Sequence, residues 1–209
     1  MRYRWFVEYG ITGDLKFISH HDTIRLWERL LARAAVPVRF TQGYNPHPKM
    51  TLPLPRPVGV ASEAEAVQIE TTTDLDANAL RDRLAACTPS GLDVLAVRRL
   101  SPGEKPRPKF VHYRLEPEKP LGPEVPGLIA QVLNAERIEV KRHKPGETEA
   151  KTVDLRPWVL EIGIDDAAVS FVLEVNERGT AKPAEVAGLL GYDPGAINHR
   201  IRRTAITWR

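Results

Sequence analysis

The feature that most limits what this chain can fold into is an order of hydrophobic periods that runs twice along it. In the first half, Tyr3, Trp5, Val7 and Tyr9 alternate with other residues, which is the period of a strand. Residues 20–34 place Ile24, Trp27, Leu30, Leu31 and Ala34 at helical spacing. Val36, Val38 and Phe40 then alternate as a short β-prone run, which Pro37 confines to an edge. Val67 and Ile69 mark a further strand. Leu80 and Leu84 stand one turn apart in a second helix that Asp74 or Asp76 can cap, and Leu92 to Val97 close the half as a strand. The order is β-α-β-β-α-β. Proline and glycine break regular structure across residues 102–108, and the order restarts. Phe110 to Leu115 is β-prone. Val125, Leu128, Ile129, Val132 and Leu133 form one helical face, and Ile138 and Val140 alternate. Two alternating runs, Trp158 to Ile164 and Val169 to Val175, flank a hairpin signal at Asp165-Asp166-Ala167. A short helix enters at Pro183 and stops at Gly191, and Thr204 to Trp208 is a last strand. These periods predict an α+β protein of two tandem ferredoxin-like domains, residues 1–101 and 109–209, joined by a linker at 102–108. Each would be an antiparallel sheet with two helices on one face. The second half carries one strand more than that motif needs.

Composition narrows the function classes. No apolar run approaches the roughly 20 residues of a membrane-spanning helix, and the opening residues have no apolar stretch of the signal-peptide kind. The single cysteine, Cys87, excludes a disulfide framework, a cysteine zinc site and an iron–sulfur cluster built by this chain alone. The expectation is a cytoplasmic protein without membrane contact. Net charge is only +3, but its distribution is uneven. Residues 1–56 hold nine basic side chains against four acidic ones, whereas residues 57–97 hold two against seven. Arg200, Arg202, Arg203 and Arg209 follow the last acid, and Lys141-Arg142-His143-Lys144 forms another cluster. Segregation of this kind either builds a basic face for an anionic partner or cancels by packing.

Four segments could carry chemistry. Ser19 and Asp22 fit a capping box, which leaves His20 and His21 over at the start of the first helix. Adjacent histidines point about 100° apart on a helix and are poorly placed to share a metal. Arg25, Arg29 and Arg33 recur every four residues, either as a solvated face or as a ridge matching phosphate oxygens. The stretch from Thr41 to Pro57 is dense in proline, and Pro46 and Pro48 bracket His47. It reads either as a rigid connector or as a stiff recognition loop, which loses little entropy on binding. In the second role Tyr44 would stack on a base, Asn45 would read a base edge and Lys49 would hold a phosphate, while His47 or His20 would transfer protons. Asp154 and Arg156 share one face of an extended segment, as an ion pair or as a joint grip on a partner. The candidate anion-contacting set is therefore Arg25, Arg29, Arg33, Tyr44, Asn45, His47, Lys49, Arg156, Arg200, Arg202 and Arg203. No phosphate-binding glycine loop, dinucleotide turn, nucleophile elbow or His-Glu-x-x-His is present.

Phe17-Ile18-Ser19-His20-His21-Asp22, the arginine-rich helix and Thr41-Gln42-Gly43-Tyr44-Asn45-Pro46-His47-Pro48-Lys49 together resemble the radical SAM-linked family of uncharacterised bacterial proteins. Pro53 to Val60 and Val153-Asp154-Leu155-Arg156-Pro157 belong to the same pattern. Members usually carry leucine at the position of His21. They occur fused behind a radical SAM domain or encoded near one, often beside ribosome and RNA-processing genes. The resemblance implies a radical SAM protein as partner. That partner would carry the iron–sulfur cluster and S-adenosylmethionine, because this chain has no Cys-x-x-x-Cys-x-x-Cys. Three readings follow: an accessory module presenting RNA or a ribonucleoprotein through a basic groove, an RNA-processing enzyme using a loop histidine, and a protein–protein adaptor.

Overall fold

The computed structural model describes residues 2–143 and 149–209. The fold is mixed α+β, with mostly antiparallel strand pairing and four α-helices among the described residues. None of those helices is long and apolar enough to cross a membrane. The chain divides into two compact units, Met1–Pro108 with Arg209, and Lys109–Trp208.

The first unit runs β1 (Tyr3–Ile11), α1 (His20–Arg33), β2 (Met50–Thr51), β3 (Ala61–Thr71), α2 (Ala77–Ala85) and β4 (Leu92–Arg99). β1 lies between β3 and β4 and is antiparallel to both, with Val7 opposite Val67 on one side and Val97 on the other. β2 pairs the far side of β3, Met50 opposite Ile69. Alternation sends Trp5, Val7, Tyr9 and Ile11 to one face, where α1 lays Trp27, Leu30 and Leu31 and α2 lays Leu80 and Leu84. Tyr9 and Trp27 meet edge to face at 4.9 Å, a favoured aromatic arrangement. Each helix starts where a side chain satisfies its first donors. Ser19 Oγ accepts from the Asp22 amide and Asp76 from the Ala79 amide. Asp74, the other candidate cap, pairs with Arg99 instead.

One element differs from expectation. Val36, Val38 and Phe40 form no strand, only single bridges from Val38 to Thr71 and from Phe40 to Pro48. The Val36 amide is spent on Leu31 O of the ending helix, and Pro37 has no amide to give. The ladder is taken up ten residues later, at β2.

The second unit runs β5 (Pro108–Leu115), α3 (Val125–Asn134), β6 (Glu139–Arg142), β7 (Lys151–Asp154), β8 (Val159–Asp165), β9 (Ala168–Glu174), α4 (Pro183–Leu189) and β10 (Ile201–Trp208). Its sheet order is β10-β5-β9-β8, with β9 antiparallel to β5 and to β8. β8 and β9 join through Asp166 and Ala167, both at positive φ, as a two-residue hairpin turn requires. Among the described residues β6 and β7 pair only with each other, which accounts for the strand in excess. Val111, Tyr113, Leu115, Val169, Phe171 and Leu173 form the buried face of this sheet.

Candidate functional site

The site grows from α1. Burial of Trp27, Leu30 and Leu31 turns the remaining stripe outward, and Arg25, Arg29 and Arg33 are all exposed. Their anchoring is light. Arg25 lies 3.6 Å from Asp22, and Arg33 donates to the Cys87 carbonyl at 3.3 Å. Asp22 is held below its ordinary pKa, first by the Ser19 hydroxyl and then by the Ser19 amide and Arg25. The capping box therefore uses up Asp22 and leaves the arginine row to solvent.

The proline-rich loop closes on itself at its base. Thr41 N–H donates to His47 O at 2.8 Å, and His47 N–H donates to Thr41 Oγ1 at 3.0 Å. Lys49 N–H donates to Arg39 O, and Lys49 O accepts from Glu70 N–H, so Lys49 leads the chain back into the ladder. Between these ties, residues 42–46 project, Gly43 sits at φ +133°, and Tyr44 and Asn45 are exposed, Tyr44 completely.

The loop and α1 face each other. His47 Nδ1 stands 3.3 Å from Glu28 Oε1, with the imidazole 67% exposed and the carboxylate 27% exposed. Around this contact is an open cleft of about 570 Å³, lined by His20, His21, Arg25, Glu28, Thr41 and His47 above Ile24, Met50 and Leu52. Four of the residues singled out from sequence, His20, His21, Arg25 and His47, thus line one cavity. Glu28 joins them from the helix.

Arg56 was missed by the sequence reading. It is buried, and its guanidinium donates to the carbonyls of Lys16 at 2.6 Å, Val60 at 2.6 Å and Leu15 at 3.2 Å. Those carbonyls belong to the turn Gly13–Phe17 and to the residue just before β3, so Arg56 fixes the approach to α1 and hence His20 and His21. Its only signal in the sequence is an arginine between two prolines, Pro55 and Pro57.

In the second unit the arginines are largely committed to their own fold. Arg156 donates through Nε to Ala135 O at 3.0 Å, through Nη2 to Leu133 O at 3.1 Å and through Nη1 to Val159 O at 2.6 Å. It ties the end of α3 to the start of β8 and is not displayed to a partner. Asp154 accepts from the amides of Ile138 and Arg156, and those two bonds hold its carboxyl below the ordinary range. Arg203 is 1% exposed and lies on Tyr113, with Nε and Nη2 within 3.3 Å of its hydroxyl. Arg200 pairs with Glu118, and Arg202 is half-buried on β10. Arg142 grips Glu185 with two bonds of 2.7 Å and stacks over Trp158. Lys144, expected in the same basic cluster, lies outside the described residues.

Set against known proteins, residues 3–183 match a family described as an uncharacterized protein conserved in bacteria, DUF2344. No curated protein matches the chain.

Proposed function

The chain belongs to the DUF2344 family, and we propose that it works as an RNA-binding accessory module presenting substrate to a radical SAM protein. The observation that carries this reading is one surface of the first unit. An exposed row of three arginines ends at a cleft whose far wall is a proline-braced loop bearing a fully exposed tyrosine. Guanidinium groups at one-turn spacing suit successive phosphates, and an aromatic on a stiff loop suits an unstacked base. The basic excess of residues 1–56 favours the same partner.

We also read both units as ferredoxin-like. Each sheet has its first strand beside its third and fourth, in the orders β4-β1-β3-β2 and β10-β5-β9-β8, with helices after the first and third strands. The radical SAM partner is drawn from the resemblance in residues 17–22, 41–49, 53–60 and 153–157. With Cys87 alone, this chain has no thiolate set for an iron–sulfur cluster, so in this reading the radical chemistry belongs to the partner.

Binding to a labelled single-stranded RNA, followed by fluorescence anisotropy from 50 to 200 mM salt, tests the reading. Three phosphate contacts on a single strand predict a loss of roughly twentyfold over that range. Replacing Arg25, Arg29 and Arg33 together by alanine should weaken binding at 50 mM salt and flatten the salt dependence, with the circular dichroism spectrum unchanged. Salt-insensitive binding, or none at micromolar protein, overturns it. Capture of a radical SAM protein that survives nuclease treatment without any RNA affinity would make the chain an adaptor instead.

A further inference from the structure

We infer that the cleft between α1 and the 41–57 loop also cleaves the RNA it binds, with His47 as the general base. This inference rests on the RNA-binding reading and deepens it. His47 Nδ1 faces Glu28 Oε1 at 3.3 Å. A proton on Nδ1 directed at a carboxylate leaves the Nε2 lone pair for the cleft, the arrangement by which a third group orients a catalytic imidazole. A single polar contact with a largely solvent-exposed imidazole contributes little to stability, so the contact is of more use for aiming the ring than for holding the fold. The backbone of His47 is fixed by both bonds to Thr41 and by the flanking prolines, Pro46 and Pro48. His20 and Arg25 line the same cavity. They supply a second protonable ring and a fixed positive charge for a phosphoryl group. The volume of about 570 Å³ falls in the range of ligand clefts.

These groups suffice for transesterification, in which the substrate brings its own nucleophile. His47 Nε2 takes the proton of a ribose 2′-hydroxyl as O2′ forms a bond to the adjacent phosphorus. The P–O5′ bond breaks, and the leaving O5′ takes a proton from protonated His20. Arg25 offsets the charge on the non-bridging oxygens. The products are a 2′,3′-cyclic phosphate and a 5′-hydroxyl. Nothing is oxidised or reduced, and the two histidines exchange protonation states, which solvent resets.

The test incubates the full chain with a 5′-labelled single-stranded RNA of mixed sequence and with DNA of the same sequence, then identifies the product ends. Cleavage should yield 2′,3′-cyclic phosphate termini from RNA and leave DNA intact. His47→Ala, purified identically and with an unchanged circular dichroism spectrum, should be at least about 100-fold slower at saturating RNA. Glu28→Gln should lower kcat by about tenfold with KM unchanged, and Glu28→Asp should recover part of the loss, which a purely structural role for Glu28 would not produce. If the protein binds RNA with the predicted salt dependence but leaves it intact, this inference fails and the binding proposal stands. Cleavage unchanged in His47→Ala also overturns it. Neither binding nor cleavage overturns both.

Discussion

Ala35 shows how far a single residue departs from its best choice. It closes α1 at φ +48°, and the Val36 amide reaches back over it to Leu31 O at 3.0 Å. A side chain at positive φ costs roughly 1–2 kcal/mol, which glycine avoids. Glycine also loses more entropy on folding, so Ala35→Gly should raise stability by at most about 1 kcal/mol, read as a higher urea midpoint at unchanged m. Gly91 is the opposite case. It sits at φ +86°, and a Cβ there would lie 2.7 Å from Thr12 O, so the turn into β4 admits no side chain. The first is hidden because alanine stands where glycine would mark the helix end, and the second because it depends on Thr12, which lies elsewhere in the unit. Arg56 and Arg156 make the same point chemically. Both precede proline, and both spend their guanidinium on carbonyls. Sequence counts such residues as surface charge, since nothing within a few positions reveals the carbonyls they will meet.

At the scale of elements, the helices were the most legible. The apolar spacing of α1 and its Ser19 cap are local, and both are present. The run from Val36 to Phe40 stops short of a strand because the Val36 amide closes α1 and Pro37 has no donor; Arg39 N–H still reaches Glu70 O, and regular pairing with β3 forms at Met50–Thr51. The turn between β7 and β8 supports a prediction of its own. The Asp154 carboxylate joins Ile138 and Arg156, and its pKa is lowered chiefly by those two amide bonds. A folded-state pKa below the unfolded value means that the contribution is complete above about pH 4 and is lost as pH falls through the lower, folded value. Stability measured by denaturant melts should therefore drop as pH decreases below about 4. Asp154→Asn should make that acid limb shallower, with Asp22 and Glu104, whose pKa values are lowered too, supplying the remainder. An unchanged acid limb in the variant would contradict this account.

At the scale of the whole molecule, the two units differ in what they leave available. The first displays Arg25, Arg29 and Arg33 beside a cleft. In the second, Arg142, Arg156 and Arg203 are engaged within the unit. Hydrogen exchange with and without RNA should accordingly show protection in residues 20–33 and 41–52 and little change in residues 109–208. Protection centred on residues 109–208 would move the interface to the second unit. By itself the sequence determined the helices, most of the longer strands, the cap of α1 and the proline bracing of the loop, because hydrophobic period, capping and proline act within a few residues. Only the tertiary structure decided which charges stay free and that His47 meets Glu28. A side chain's partner is set by chain that returns from 19 residues away for His47, 40 for Arg56 and 90 for Arg203, and the local pattern carries no record of it.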